Sequence, residues 1–182
     1  MLLPSLIEGC IMHSPDRIHL FLNFEGVLVE RGGASVSGTS LVPTSGVLWR
    51  WAEPLIELAK KFDLALVIRS SWALQLPVNG IIAAMPPELG ERVVGATDPI
   101  AELRSSGAIR IASQFAVIER YVRKFGLSRW CAVDDREECW LAEDHWRFVL
   151  TNPSRGLGDR TTCDHLERVL IRLAEPGPAG AA

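Results

Sequence analysis

Short apolar runs that stop at polar turns alternate along this chain with stretches in which apolar residues recur every three or four positions. The runs at 18–22, 64–68, 92–94, 130–133 and 147–150 predict strands. Their near-continuous apolar character predicts burial on both faces, as in a parallel sheet. Between them, Leu55, Ala59 and Phe62 share one face of a helix that Pro54 can enter in its first turn. Phe115, Ile118, Val122 and Phe125 form a second such face between a Ser113 N-cap and a Gly126 stop. Leu166, Val169, Leu170 and Leu173 form a last one, ended by Glu175-Pro176. Strand and helix in alternation predict an α/β fold: a three-layer, Rossmann-like parallel sheet with helices on both faces and right-handed crossovers.

The Gly, Ser and Thr-rich interval 28–46 is longer than most connections in a compact domain, and as a sequence it reads as a flap or as a surface loop. A chain of 182 residues suits one domain, expected over 1–174, because this length buries about 70% of the unfolded surface. The Pro, Gly and Ala-rich residues 175–182 are expected to be a disordered tail.

No apolar run reaches the roughly 18 residues of a membrane span, so no membrane partner is expected. The first residues carry Glu8 and lack the basic start of a secretory signal, so a soluble cytoplasmic protein is the expectation. A formal charge of -3 leaves no basic stripe, which argues against nonspecific nucleic-acid binding. Cys10, Cys131, Cys139 and Cys163 contain no Cys-x-x-Cys pair and read as reduced thiols. Cys139, His145, Cys163 and His165 match no common zinc-finger spacing.

The chemistry concentrates at strand ends. The first strand runs into Asn23, Glu25 and Gly26, and the fourth ends in Asp134 and Asp135. Open parallel sheets bind ligands beyond the carboxyl ends of their strands, so Asn23, Ser70 and Asp134 should meet at one rim. Paired carboxylates at a strand end concentrate charge that a hard cation would neutralise; the alternative is an acid pair opening a helix. Ser70, or Ser71 if the register shifts by one, can donate a hydroxyl to phosphate, or else cap the next helix. Arg69 could clamp a phosphate, but strand alternation can turn it away from Ser70. Trp72 reads as a core residue, with base stacking as the alternative.

These segments resemble, in order, the motifs of the haloacid dehalogenase (HAD) superfamily. Its first motif is a strand followed by Asp-x-Asp-Gly-(Val or Thr)-Leu, where this chain reads Asn23-Phe24-Glu25-Gly26-Val27-Leu28. The strand ending at Ser70 is similar to the second motif and Asp134-Asp135 to the fourth. Trp72 and Gly156-Leu157 are similar to a subgroup associated with RNA-repair proteins. The resemblance spans roughly 18 to 173 and implies a flap or small cap within 28–46. It also implies a phosphate pocket at Ser70, Ser71 and Gly26, and magnesium held by Asn23, Asp134, Asp135 and the backbone carbonyl of Glu25.

Two departures alter what the resemblance implies. The first-motif Asp is the family's nucleophile, and Asn23 replaces its carboxylate with a neutral amide, so the aspartyl-phosphate route should be impaired or lost. Near the third-motif Lys position stand Ser113 and Gln114, with Arg110 upstream. The expectation is a phospho-ligand-binding or regulatory domain that holds magnesium weakly. Its ligand would be a phosphorylated small molecule or a nucleotide end. Two alternatives stay open: a magnesium-dependent phosphohydrolase rebuilt around Glu25, with Asn23, Glu25 and Ser70 as its catalytic set, and a non-catalytic module with a protein partner.

Overall fold

The computed structural model describes residue 14 and residues 16–98, 101–103, 109–111 and 113–175, the two short segments by their backbone alone. The expected tail beyond Glu175, together with Cys10, lies outside the described residues.

Five parallel strands form the central sheet: β1 (His19–Leu22), β4 (Ala65–Ile68), β5 (Val93–Ala96), β8 (Trp130–Asp134) and β9 (Phe148–Leu150). They are ordered β5-β4-β1-β8-β9, so β1 sits centrally, registered with His19 opposite both Ala65 and Trp130. All five are the expected runs, with ends moved by a residue or two. Alternation along each strand sorts the side chains into two cores. Leu20, Leu22, Leu66, Ile68, Cys131, Val133 and Val149 face one cluster, and Phe21, Ala65, Val67, Trp130, Ala132 and Phe148 face the other.

Helices cover both faces. α1 (Glu53–Lys61) and α5 (Arg160–Ala174) bury Leu55 and Ala59, and Leu166 and Leu170, in the first core. α4 (Gln114–Phe125) lays Phe115, Ile118 and Tyr121 over the second. Its boundaries are chemical: the Ser113 hydroxyl accepts from Ala116 N–H, and Gly126 leaves the helix at φ 62°. Asp159 caps α5 by accepting from Thr161 N–H. Each expected helix is present. The pattern did not give two short helices, α2 (Val78–Ala84) and α3 (Pro87–Gly90), which follow Pro77 and Pro86. Nor did it give a hairpin of β6 (Ala101–Leu103) with β7 (Ile109–Ile111).

The interval 28–46 contains an antiparallel hairpin, β2 (Ala34–Ser37) with β3 (Ser40–Pro43), standing beside the carboxyl end of β1. Its base is closed by Thr44, whose N–H donates to Gly33 O at 2.9 Å. Among the described residues no helix is long and apolar enough to cross a membrane.

Candidate functional site

The polar residues stand at the carboxyl rim because each ends or follows the last ladder position of a strand. Asn23 N–H donates to Val133 O, Arg69 N–H to Leu22 O and Thr97 N–H to Ile68 O. The rim opens onto a pocket of about 300 Å³ lined by Asn23, Glu25, Arg69, Ser70, Ser71, Gln114, Asp134 and Asp135, with Ala73, Leu74 and Val117 as an apolar wall. All the candidate residues except Gly26 therefore share one cavity, at the place where open parallel sheets carry their ligands.

Asn23 is the hub. Its Nδ2 donates to Glu25 O at 2.9 Å, to Asp134 Oδ1 at 3.1 Å and to Asp135 Oδ1 at 3.3 Å. Three oxygens thus converge on one amide nitrogen. The outer oxygens of the acid pair are taken by arginines: Arg69 Nη1 donates to Asp134 Oδ2 at 2.7 Å, and Arg31 Nε to Asp135 Oδ2 at 2.8 Å, with a second, closer contact from Arg31 Nη2. Arg136 N–H adds a bond to Asp134 Oδ1 at 3.2 Å. Every carboxylate oxygen of the pair is engaged by the chain itself. Burial pushes the Asp134 carboxyl up to about 7; the Arg69 guanidinium opposes the shift and the neighbouring Asp135 adds to it.

The alternative of an acid pair opening a helix does not hold, because the residues after β8 run irregularly to a single 3-10 turn at His145–Arg147. Gly26 serves the pair sterically. At φ +73° it sits so close to Asp135 that a Cβ would lie 2.4 Å from the Asp135 Cβ. Its carbonyl accepts from Thr151 Oγ1 at 2.6 Å, and its N–H is committed to Val29 O. The Glu25 carboxylate accepts from Gly32 N–H at 3.1 Å, at the base of the hairpin. Ser70 caps the turn Ser71–Leu74, accepting from Trp72 N–H at 3.4 Å, while Ser71 is exposed.

Three groups escaped the sequence reading or were set aside by it. Arg69 points into the pocket, its Nη1 on Asp134 Oδ2 while its N–H still donates to Leu22 O at the end of the ladder. Gln114 is 2% exposed, lines the pocket, and its Oε1 has no hydrogen-bond partner among the described residues. An unmatched buried amide oxygen costs about 1–3 kcal/mol, which a donor on a ligand or a water would recover. The signal lay in its position: Gln114 stands four residues before Ile118 and seven before Tyr121, a polar residue on an apolar helix face. Arg31 gave no such signal, since nothing in a Gly-rich stretch registers it against Asp135. Arg110 lies in β7, and its side chain is outside the described residues.

Among the described residues no group of three or more His, Cys, Asp or Glu is arranged to hold a metal ion. The set that converges here is of another kind: two carboxylate oxygens and a backbone carbonyl around an amide. Turned by half a revolution, that amide would present Oδ1 in place of Nδ2. Four oxygens from hard donors suit a small divalent cation such as magnesium, whose remaining positions water and phosphate usually fill.

Trp72 is 3% exposed and packs against Phe24 and Trp49, so it belongs to the core under the site. Gly156 and Gly158 lie against the Trp51 ring, where a Cβ on Gly156 would be 2.3 Å from both the ring and Val27 O.

A central parallel sheet, helices on both faces and an amide–acid pair at the carboxyl rim define a HAD-like domain. The chain belongs to the family described as the HAD domain in Swiss Army Knife RNA repair proteins, which it matches over residues 19–162. None of the curated proteins and none of the solved structures matches it.

Proposed function

We propose that this chain is a phospho-ligand-binding or regulatory domain in which the aspartyl-phosphate chemistry of the HAD fold is impaired or lost. One observation carries the reading: the Asn23 amide donates hydrogen bonds to Glu25 O, Asp134 and Asp135, at the position where a nucleophilic carboxylate would be needed. An amide nitrogen that donates there has its lone pair delocalised into the carbonyl and unavailable to phosphorus, and the neutral amide has no charge to hold a cation strongly. The Glu25 carboxylate is likewise engaged, by Gly32 N–H at the hairpin base.

The rest of the pocket suits binding. The Ser70 and Ser71 hydroxyls can donate to phosphate oxygens, Gln114 can accept from a ligand hydroxyl or amine, and Ala73, Leu74 and Val117 offer an apolar wall. Magnesium, where held by Asn23 Oδ1, Glu25 O and the acid pair, would offset phosphate charge; the two arginines already on that pair make the binding weak. The family's place in RNA repair proteins makes a nucleotide end the first ligand to try, ahead of a phosphorylated small molecule.

The test is an assay of purified protein with a generic phosphate ester, with and without magnesium, beside Asn23→Asp. Binding without turnover in the natural chain, and magnesium-dependent turnover in Asn23→Asp, is the expected result. Turnover by the natural chain that disappears in Asp134→Ala would overturn the proposal in favour of a rebuilt enzyme.

A further inference from the structure

Two groups of the pocket are held by the same short piece of chain. Arg31 binds the outer oxygen of Asp135, and the next residue, Gly32, donates its N–H to the Glu25 carboxylate. Both lie just before β2, where Gly33 N–H turns back onto Glu30 O and Thr44 ties the second strand to Gly32 and Gly33. The base of the hairpin and the acid groups of the site therefore form one hydrogen-bonded unit. The two ends of the Arg31 contact differ: the Asp135 side chain is 4% exposed, whereas that of Arg31 is 45% exposed. Asp135 has no other cation within reach among the described residues. Arg31 can swing into water without losing solvation, and the cost of parting falls on the buried Asp135, which calls for a replacing cation.

We propose that the hairpin base is an autoinhibitory latch, in which Arg31 acts as a built-in cation on Asp135 and competes with a divalent ion for the acid pair. The proposal rests on the phospho-ligand reading of this pocket and adds its regulation. A divalent ion on the acid pair, taking the place that Asn23 Nδ2 now holds between Glu25 O, Asp134 Oδ1 and Asp135 Oδ1, would have to displace that amide and would meet the Arg31 charge across a single carboxylate, where like charges repel even in water. Occupancy of the pair and a closed hairpin base then oppose each other. When the hairpin base opens as a unit, Arg31 and Gly32 leave together, and the Glu25 carboxylate is freed toward the pocket. Arrival of the ion and release of the hairpin are one event, and by linkage each favours the other equally.

The experiment is a calorimetric titration of the full chain with magnesium chloride, in the natural form, Arg31→Ala and Arg31→Lys. Hydrogen exchange at the Gly32 and Gly33 amides is followed alongside. Roughly tenfold or more tighter magnesium binding in Arg31→Ala is expected from the removed like charge, with Arg31→Lys close to the natural chain. Magnesium should also speed exchange at Gly32 in the natural chain. Equal affinity in all three forms, no magnesium binding in any, or a Gly32 amide indifferent to magnesium would each overturn the latch. Titration of the natural chain with inorganic phosphate separates the two ideas. Phosphate binding with equal magnesium affinities sinks the latch alone, and a tenfold Arg31→Ala effect without phosphate binding sinks the phospho-ligand reading alone.

Discussion

At the scale of the residue, an Asn in place of a carboxylate changes the sign of what the position offers its neighbours. A carboxylate at 23 would repel Asp134 and Asp135 unless a cation lay between them, whereas the amide draws both together. Asp134 still bears a cost, since it is buried and its carboxyl is raised to about 7. Below the ordinary carboxylate range both folded and unfolded chains hold that proton, and the neutral group contributes its full stability. As pH rises through about 7 the folded chain must give the proton up at a cost, while the unfolded chain lost it near 4, so stability falls. Denaturant unfolding of the natural chain and Asp134→Asn between pH 5 and 8 should show the natural chain losing more stability over that interval. The ceiling over that interval is about 3 kcal/mol, for the roughly two pKa units between pH 5 and 7 at 1.36 kcal/mol each. An equal slope in the two proteins would mean that Arg69 keeps Asp134 charged throughout.

At the scale of the element, the parts legible in the sequence were those fixed by local chemistry. The five strands announced themselves as apolar runs, and α4 through Ser113, Gly126 and a face of Phe115 and Ile118. Elements held by partners remote in sequence were not legible. The hairpin of β2 and β3 has half-exposed strands with Ser and Gly at their ends, and what stands it over the site is Arg31 meeting Asp135 and Gly32 meeting Glu25. Gly156-Leu157 was visible only as a resemblance, and its physical basis is contact: the backbone passes against Trp51, and Leu157 N–H donates to Val27 O at 2.9 Å. Gly156→Ala would have to place a methyl inside that contact at φ +48°, where alanine is itself strained. A loss of about 2–4 kcal/mol in chemical denaturation is expected, because overpacking and backbone strain combine. A loss under 1 kcal/mol would show that Trp51 can step aside.

At the scale of the whole molecule, the stabilising apolar mass and the chemistry are separate. Both apolar cores lie on the faces of the sheet, whereas Asn23, Ser70, Gln114, Asp134 and Asp135 line the pocket at its carboxyl rim. The fold can therefore persist through loss of the nucleophile, and the same separation makes reversal testable as a stability effect. Asn23→Asp keeps the side-chain shape but replaces a donor shared by three oxygens with a third carboxylate beside Asp134 and Asp135. Without a cation, that variant should lose roughly 2–4 kcal/mol, the scale for breaking a buried polar cluster and leaving like charges facing each other. A divalent ion that binds only the folded form returns stability as RT ln(1 + [L]/Kd), about 2.7 kcal/mol at a hundredfold excess over Kd. Thermal unfolding of both proteins across a magnesium series should then show a Tm that climbs steeply in Asn23→Asp and little in the natural chain. Parallel curves would mean that the amide already yields its place to the ion, and that the natural site is a metal site despite Asn23.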